Sequence, residues 1–494
     1  MSIILKGETI MHDQVRDASA GNLYVGWAMA SITPKGAVRL RGQFYERISR
    51  YVQSDLTVTV LALETRDDAG RSMEQMMIGA CDLASVSDDI MQDVRAALGS
   101  RLTDFDTEKL FLNATHTHTA PYTTFRPISD KFIRLVPEEM RPETEEPDGI
   151  ESAAEYRNFL IDRLCEAFTQ AWNGRAPGAV SSRLGHAVLG HNRRVVYDDG
   201  SALMYGTTDT VNFYEPEGAE DHGVELLYFW DREGSLTGAA VNVACPSQVL
   251  EHHYFVSADY WGEARRELAQ RGLEKLFILP LCGAAGDQSP RDMVRRGRGE
   301  PNMHEIEGAK ELGRRLADAI VENIGSADEA MERVAFRHRI IHPALPIRTV
   351  GRLETERAKA EFQSILDGIK PGERLQTHDI VRLYNPGCTL MRAELQQKKH
   401  FVTPEIHIVR LGETAIATNS FELFILYGLQ IKARSRASQT VVVQLACDSL
   451  GYLPTQKAVE GGHYSAYVAS GIVGPEGGKC LVNQTVQAIN ELWA

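Results

Sequence analysis

His116 and His118 stand one residue apart in Thr115-His116-Thr117-His118-Thr119, just beyond the apolar run Leu110-Phe111-Leu112. Side chains alternate along extended chain with a period of two, so both imidazoles point one way. Together they can face one metal ion, or one can bind it while the other supports it from behind. A pair of histidines hydrogen-bonded within a loop would have the same spacing. Three more polar motifs follow apolar runs in the same manner: Ala244-Cys245-Pro246-Ser247-Gln248, Gly286-Asp287-Gln288-Ser289-Pro290 and Asn419-Ser420-Phe421-Glu422. In open α/β sheets, ligands gather outside the carboxyl ends of strands. Four strand ends carrying such residues point to one enzyme site.

Each motif has a chemical and a structural reading. Ser289 can serve as a nucleophile or an oxyanion donor, and Asp287 can orient a histidine or a water. The same residues also suit a Ser-Pro turn with an Asx-type hydrogen bond. Glu422 reads as the first turn of a helix over Phe421 to Ile431, capped by Ser420, where a carboxylate is favourable against the helix dipole regardless of function. It is equally a metal ligand or base at a strand-to-helix junction. Tyr452, in Gly451-Tyr452-Leu453-Pro454-Thr455, can bind a metal or stabilise an anion, and His463 follows close behind in Gly461-Gly462-His463-Tyr464. Asn192, Arg193 and Arg194 precede a turn at Asp198-Asp199-Gly200, and the arginines can clamp a substrate carboxylate or phosphate.

These residues need a scaffold, and the chain has one. It has 494 residues, 43% hydrophobic and 24% charged, in the range of a globular α/β protein. Apolar strand-like runs occur at Leu56–Leu63, Met76–Cys81, Leu110–Asn113, Leu226–Trp230, Ala239–Ala244, Leu276–Leu281, Ile406–Leu411, Ala415–Thr418 and Val441–Leu445. Several are continuously apolar, as in strands covered on both faces. Helical patterns alternate with them: one carries Ile90, Val94 and Leu98 behind Ser87, one carries Leu160, Leu164, Phe168 and Trp172 and ends at Gly174, and one carries Ile306 to Ile320. The expected architecture is an α/β fold with a large central mixed sheet flanked by helices, forming a single catalytic domain over residues 1–494. Two segments read as peripheral: an acidic surface excursion near 127–150, and a charged helical insertion near 353–400, broken at Pro371 and at Pro386-Gly387.

The bulk numbers also exclude. A formal net charge of −14 argues against nonspecific nucleic-acid binding. No apolar run is long enough for a membrane span, and the first twenty residues lack a signal-peptide core. Seven scattered cysteines, an odd number with no CxxC, fit a cytoplasmic protein. The expected partner is a small-molecule substrate. Large α/β enzymes often form homo-oligomers, but no motif marks an interface.

Taken in order, the motifs resemble the catalytic domain of the neutral/alkaline, non-lysosomal ceramidase family. The matching stretches are Gly26-Trp27-Ala28 with Ile32-Thr33-Pro34, Thr115-His116-Thr117-His118, Asn192-Arg193, Ser257-Ala258-Asp259, Gly286-Asp287-Gln288-Ser289-Pro290, Glu422, and Gly451-Tyr452-Leu453-Pro454-Thr455. They run from about Tyr24 to Tyr464. The resemblance implies amide hydrolysis by zinc-activated water, one zinc per chain, with His116, Glu422 and Tyr452 as ligands, His118 lining the site and Ser289 implicated in catalysis. It departs from the family at the second zinc histidine, which falls opposite Cys245. Four outcomes are open there: Cys245 as a thiolate ligand, His252 or His253 as the replacement, loss of the metal, or Cys245 as a nucleophile. On this resemblance no counterpart of the family's C-terminal immunoglobulin-like domain is expected, as in short bacterial relatives, whose substrates need not be lipids.

The expected function is therefore a zinc-dependent hydrolase of an amide or ester. Two rivals stand beside it. One is an enzyme on the same scaffold that acts on a sugar-derived glycoside or lactone with a modified or absent metal. The other is a non-catalytic ligand-binding relative.

Overall fold

The computed structural model describes residues 20–142 and 148–494. The reading of the N-terminal residues and the tip of the acidic excursion, 143–147, lie outside the described residues.

The centre of the molecule is a 12-stranded mixed sheet. Its strands are β1 (Ala20–Ser31), β2 (Thr57–Arg66), β3 (Ser72–Cys81), β4 (Leu110–Ala114), β5 (Ala176–His186), β6 (Gly223–Asp231), β7 (Leu236–Val243), β8 (Phe277–Cys282), β9 (Arg333–Ile341), β10 (Ile406–Leu411), β11 (Thr414–Thr418) and β12 (Gln439–Val443). The path runs β8-β7-β6-β5-β1-β9-β10-β11-β12, and β1 also pairs with a leaf of β2, β3 and β4. All nine apolar runs are strands within a few residues of their expected ends. The three additional strands, β1, β5 and β9, are more polar. Arg333, Arg337 and Arg339 alternate with buried positions along β9, so it lacks a continuous apolar run.

The leaf lies over the rest of the sheet. Leu61, Ile78 and Leu112 share one core with Leu279 and Leu281 of β8, Val409 of β10 and Val441 of β12. Being covered on both faces is why β2 and β4 read as unbroken apolar runs. Two helices belong to the same core, α1 (Asp88–Gly99) and α2 (Ala153–Asn173). Ser152 and Glu155 form a capping box at the start of α2, and Gly174 ends it. Two more helices, α3 (Tyr260–Gln270) and α4 (Glu305–Glu322), pack with β6 and β7 in a second core.

The insertion near 353–400 is a pair of helices, α5 (Arg352–Asp367) and α6 (Thr377–Leu395). Pro371 lies between them, but Pro386 does not break the second: it sits inside α6. These helices and the excursion are not separate appendages. Phe132 and Val136 from the excursion form one small core with Phe362, Ile365, Leu366, Leu383 and Tyr384. Two further helices, α7 (Ile425–Arg434) and α8 (Pro475–Glu491), cover β10 to β12. Among the described residues, no helix is long and apolar enough to cross a membrane, and all seven cysteines are free.

Candidate active site

Three parallel strand pairs, β3/β4, β7/β8 and β11/β12, send their carboxyl ends to one region. Buried amides tie those ends together. Asn113 Nδ2 donates to Pro280 O (3.1 Å), and Asn242 Nδ2 donates to Val442 O (3.0 Å). Gln444 Oε1 accepts from the backbone of both Ala285 and Leu423, each at 3.0 Å. An unmet buried amide is costly, so this cross-linking fixes where the following loops begin.

The Thr-His-Thr-His-Thr segment divides by face as its alternation requires. Thr117 and Thr119 donate to Ser257 O at 2.8 and 2.9 Å, while the rings of His116 and His118 meet with centroids 4.8 Å apart. His116 has φ +67°, a left-handed conformation that costs a non-glycine residue about 1–3 kcal/mol and is concentrated at functional sites. Its Nδ1 lies 2.7 Å from Ala84 O. A carbonyl only accepts, so Nδ1 carries the proton. In the neutral ring Nε2 is then a lone pair, and it faces Glu422 Oε2 at 3.3 Å and His118 Nε2 at 3.4 Å.

His118 is assigned by its neighbours. Arg193 donates to Gln248 Oε1 (3.0 Å), which turns the Gln248 amide nitrogen toward His118 Nε2 (2.9 Å). That ring nitrogen therefore accepts, and the proton sits on Nδ1, 3.3 Å from Glu251 Oε2. The Nδ1 contact is electrostatic, since it has no aligned hydrogen bond. Burial, with His116 nearby, lowers the His118 pKa to about 4. Burial alone would raise that of Glu251, but His118 and Arg291 hold it down to about 2. A neutral imidazole thus stands against an ionised carboxylate. Gly42 lies so close that a Cβ there would sit 2.4 Å from the His118 ring.

Glu422 and Tyr452 are opposite one another in a two-residue parallel ladder, Glu422–Leu423 with Tyr452–Leu453. Helix α7 therefore begins four residues later than the sequence reading, at Ile425, and Ser420 does not cap it. The cap is Asp287, whose carboxylate accepts from Ile425 N at 2.8 Å. The Tyr452 hydroxyl accepts from Arg193 at 3.2 Å. Burial opposes ionisation of Glu422, but His116, Arg193 and Tyr452 hold its pKa below the usual value. Burial beside Glu422 pushes the Tyr452 hydroxyl well up. Arg193 also donates to Gly286 O (2.9 Å) and to Tyr205 Oη (3.4 Å), and Tyr205 in turn donates to Ser289 Oγ (3.4 Å).

By sequence, no protein-family model and no curated protein matches the chain. By structure, it matches the neutral ceramidase of Pseudomonas aeruginosa with a TM-score of 0.67 and 18% identity, over 96% of this chain and 75% of that one. It also matches a ceramidase solved in complex with C2, with a TM-score of 0.64 and 16% identity, over 95% and 76% of the two chains. The fold is ceramidase-like.

On this ceramidase-like fold the residues singled out in the sequence divide. His116, His118, Glu422, Tyr452 and Arg193 come together, with Ser289 joined to them through Tyr205. Cys245 is turned away: its thiol donates to Leu189 O at 3.4 Å and lies in the second apolar core. Burial beside Cys282 and Asp259 raises its pKa well above the ordinary thiol value, the opposite of what a thiolate ligand or nucleophile needs. His252 and His253 are engaged with Arg291 (2.7 Å) and Glu305 (2.6 Å). Arg194 is not a substrate clamp. Its side chain is fully buried, paired with Glu217 at 2.8 Å and bonded to the carbonyls of Ala458, Gly462 and Tyr464. Asn192 Nδ2 donates to Asp287 (3.0 Å), and His463 Nδ1 accepts from Met204 N (3.0 Å).

Sequence reasoning did not assign roles to Gln248, Glu251 and Tyr205. Gln248 closes the motif that contains Cys245, and it is the Gln248 side chain, not the Cys245 thiol, that reaches His118. Another group with metal-like spacing lies elsewhere in the core, where the ligand atoms of Glu405, His407 and Cys447 are within 4.8 Å of one another.

Proposed function

We propose that the chain is a metal-dependent hydrolase of an amide or ester, with its centre at His116, Glu422 and Tyr452. One observation carries this reading. The His116 Nε2 lone pair points at a carboxylate oxygen and at a second ring nitrogen that is itself an acceptor. A positive centre among these atoms, a metal ion or a proton on Nε2, relieves the repulsion, and the donor set of imidazole, carboxylate and phenol suits zinc. The ceramidase-like fold supports the same chemistry. Bound there, zinc would lower the pKa of a water and polarise a carbonyl.

The remaining work falls to the protein's own side chains. His118 is neutral and its Nε2 is held by the Gln248 amide; it can take a proton there when that contact opens, and Glu251 is placed against Nδ1 to stabilise the imidazolium that results. Arg193 holds the Tyr452 hydroxyl in place and fixes the Gln248 amide. The hydroxyls of Tyr205 and Ser289, on the other side of Arg193, are donors for an oxyanion. Asp287 and Asn192 position this group by capping α7.

The test is metal content together with turnover of simple N-acyl amides and esters. Wild type should carry about one zinc per chain and lose activity on chelation, and His116→Ala should lose both metal and activity. Undiminished turnover after exhaustive metal removal would refute the proposal.

A further inference from the structure

Beside the His116 cluster, the chain leaves two cations without a carboxylate partner. Arg41 is half-buried. Its backbone is pinned from both sides: Arg41 N donates to Ala120 O (2.9 Å), and Arg47 donates to Arg41 O (2.8 Å). The next residue, Gly42, has φ +114° and presses on the His118 ring. The guanidinium itself makes no ion pair or hydrogen bond among the described residues, and the charges acting on it are those of Tyr122 and Glu422. Lys131, from the excursion, points its ammonium at Tyr384, donating to the hydroxyl at 3.1 Å and lying 5.2 Å from the ring centroid. It too has no carboxylate partner, and it stands within range of both Arg41 and Glu422.

The chain has 67 acidic residues against 53 basic ones, so carboxylates to pair these cations are not scarce. Leaving a half-buried guanidinium unpaired costs free energy unless an external anion completes it. Aromatic rings bridge the cations and the proposed catalytic centre. Tyr384 meets Phe44 at 5.5 Å, Phe44 meets Tyr464 at 5.5 Å, and Tyr464 meets Tyr452 at 5.6 Å between centroids. Phe44 lies three residues beyond Arg41, so the cation and the rings come from one loop.

Resting on the hydrolase reading above, we infer that the substrate is anionic. A carboxylate or phosphate on the part of the molecule that lies along Phe44 and Tyr464 would be seated on Arg41, with Lys131 adding charge at the far end. The scissile carbonyl would then lie at the Tyr452 end of the rings.

Two measurements test this. The first compares turnover of p-nitrophenyl hemisuccinate with that of its methyl ester. Wild type should favour the free acid at least about tenfold in kcat/KM, and R41Q should cut that ratio by about tenfold, mostly through KM, with a smaller loss for K131M. Equal use of the two esters, or an unchanged ratio in R41Q, would overturn the inference while leaving the hydrolase reading intact. The second needs no turnover. Succinate and inorganic phosphate are titrated calorimetrically into wild type, R41Q and K131M. Binding to wild type that weakens at least tenfold in R41Q supports an anion site, and the tighter of the two ligands identifies the group. Absence of binding to wild type would overturn it. Anion binding with no hydrolysis of either ester would keep the site and refute the hydrolase.

Discussion

Two histidine–glutamate clusters in this molecule look alike by composition and differ in what balances their charge. At the candidate site, His116 Nε2 faces Glu422 at 3.3 Å, and no arginine or lysine pairs with that carboxylate among the described residues. In the other cluster, His407 Nε2 lies 2.7 Å from Glu405 Oε1, and Arg95 grips both oxygens of the same carboxylate at 2.6 and 2.9 Å. His338 continues the chain to His407 Nδ1 at 2.8 Å. The second cluster has the spacing of a metal site, yet Arg95 already supplies its positive charge. Spacing alone would have ranked it as a metal centre. What separates the two is how the carboxylate is held: Arg95 grips Glu405 directly, whereas Glu422 makes no such ion pair among the described residues and is held by His116, Arg193 and Tyr452.

The sharpest way to break this comparison is to exchange effects on stability and activity. Arg95→Met strands the Glu405 charge in the core, where it should cost about 3–5 kcal/mol in urea unfolding, while the surviving folded protein keeps its turnover. His116→Gly should behave in the opposite way. It removes the proposed metal ligand and also relieves the left-handed backbone, so activity should fall about 10²–10⁴-fold with stability held within about 1 kcal/mol. Loss of activity in folded Arg95→Met would mean that the inner cluster belongs to the site after all.

Acid should sharpen the same contrast at a smaller scale. Burial, joined for His338 by the neighbouring His407, holds both inner histidines below the ordinary value of 6.5. The unfolded chain takes up protons below pH 6.5 and the folded chain does not, so stability is lost as pH falls through that point, by up to about 1.4 kcal/mol per pH unit for each histidine. His118 adds a third contribution, between 6.5 and about 4. Chemical denaturation at a series of pH values should show this slope, reduced in His407→Gln. A slope that His407→Gln leaves unchanged would place the acid-sensitive groups elsewhere.

The fold was legible wherever burial makes a strand apolar along its whole length, as in β2, β4 and β12. It was not legible in β9, where the exposed Arg333, Arg337 and Arg339 interrupt the apolar positions. The sequence also picked out His116, Glu422 and Tyr452, which the fold brings together because strand ends gather motifs whatever the loops do. For Arg194, Asn192 and Asp287 the sequence left the partner open, for one physical reason. A buried polar side chain must be satisfied, and nothing in a sequence tells whether its partner is a substrate or a helix end. The peripheral segments were found, but their mutual packing was not, since the contact of Phe132 with the α5 and α6 core joins residues more than two hundred positions apart.

Cys245 is where sequence and structure part most clearly, and it yields the smallest expected effect. Alignment places it opposite a metal ligand, while the fold buries its thiol against Leu189 O and Tyr260, in an apolar core. A free cysteine in such a place behaves as a small hydrophobe. Cys245→Ala should therefore cost only about 1 kcal/mol or less, the loss of one poorly polar group from a packed site. Zinc content should stay at the wild-type level and turnover should fall less than about threefold. Gln248→Ala, three residues on, should do more: it frees the His118 Nε2 lone pair and removes an acceptor from Arg193, so kcat should fall while the metal remains. Loss of zinc in Cys245→Ala would reverse this assignment and require the loop from Ala244 to Gln248 to turn its cysteine toward His116 when metal binds.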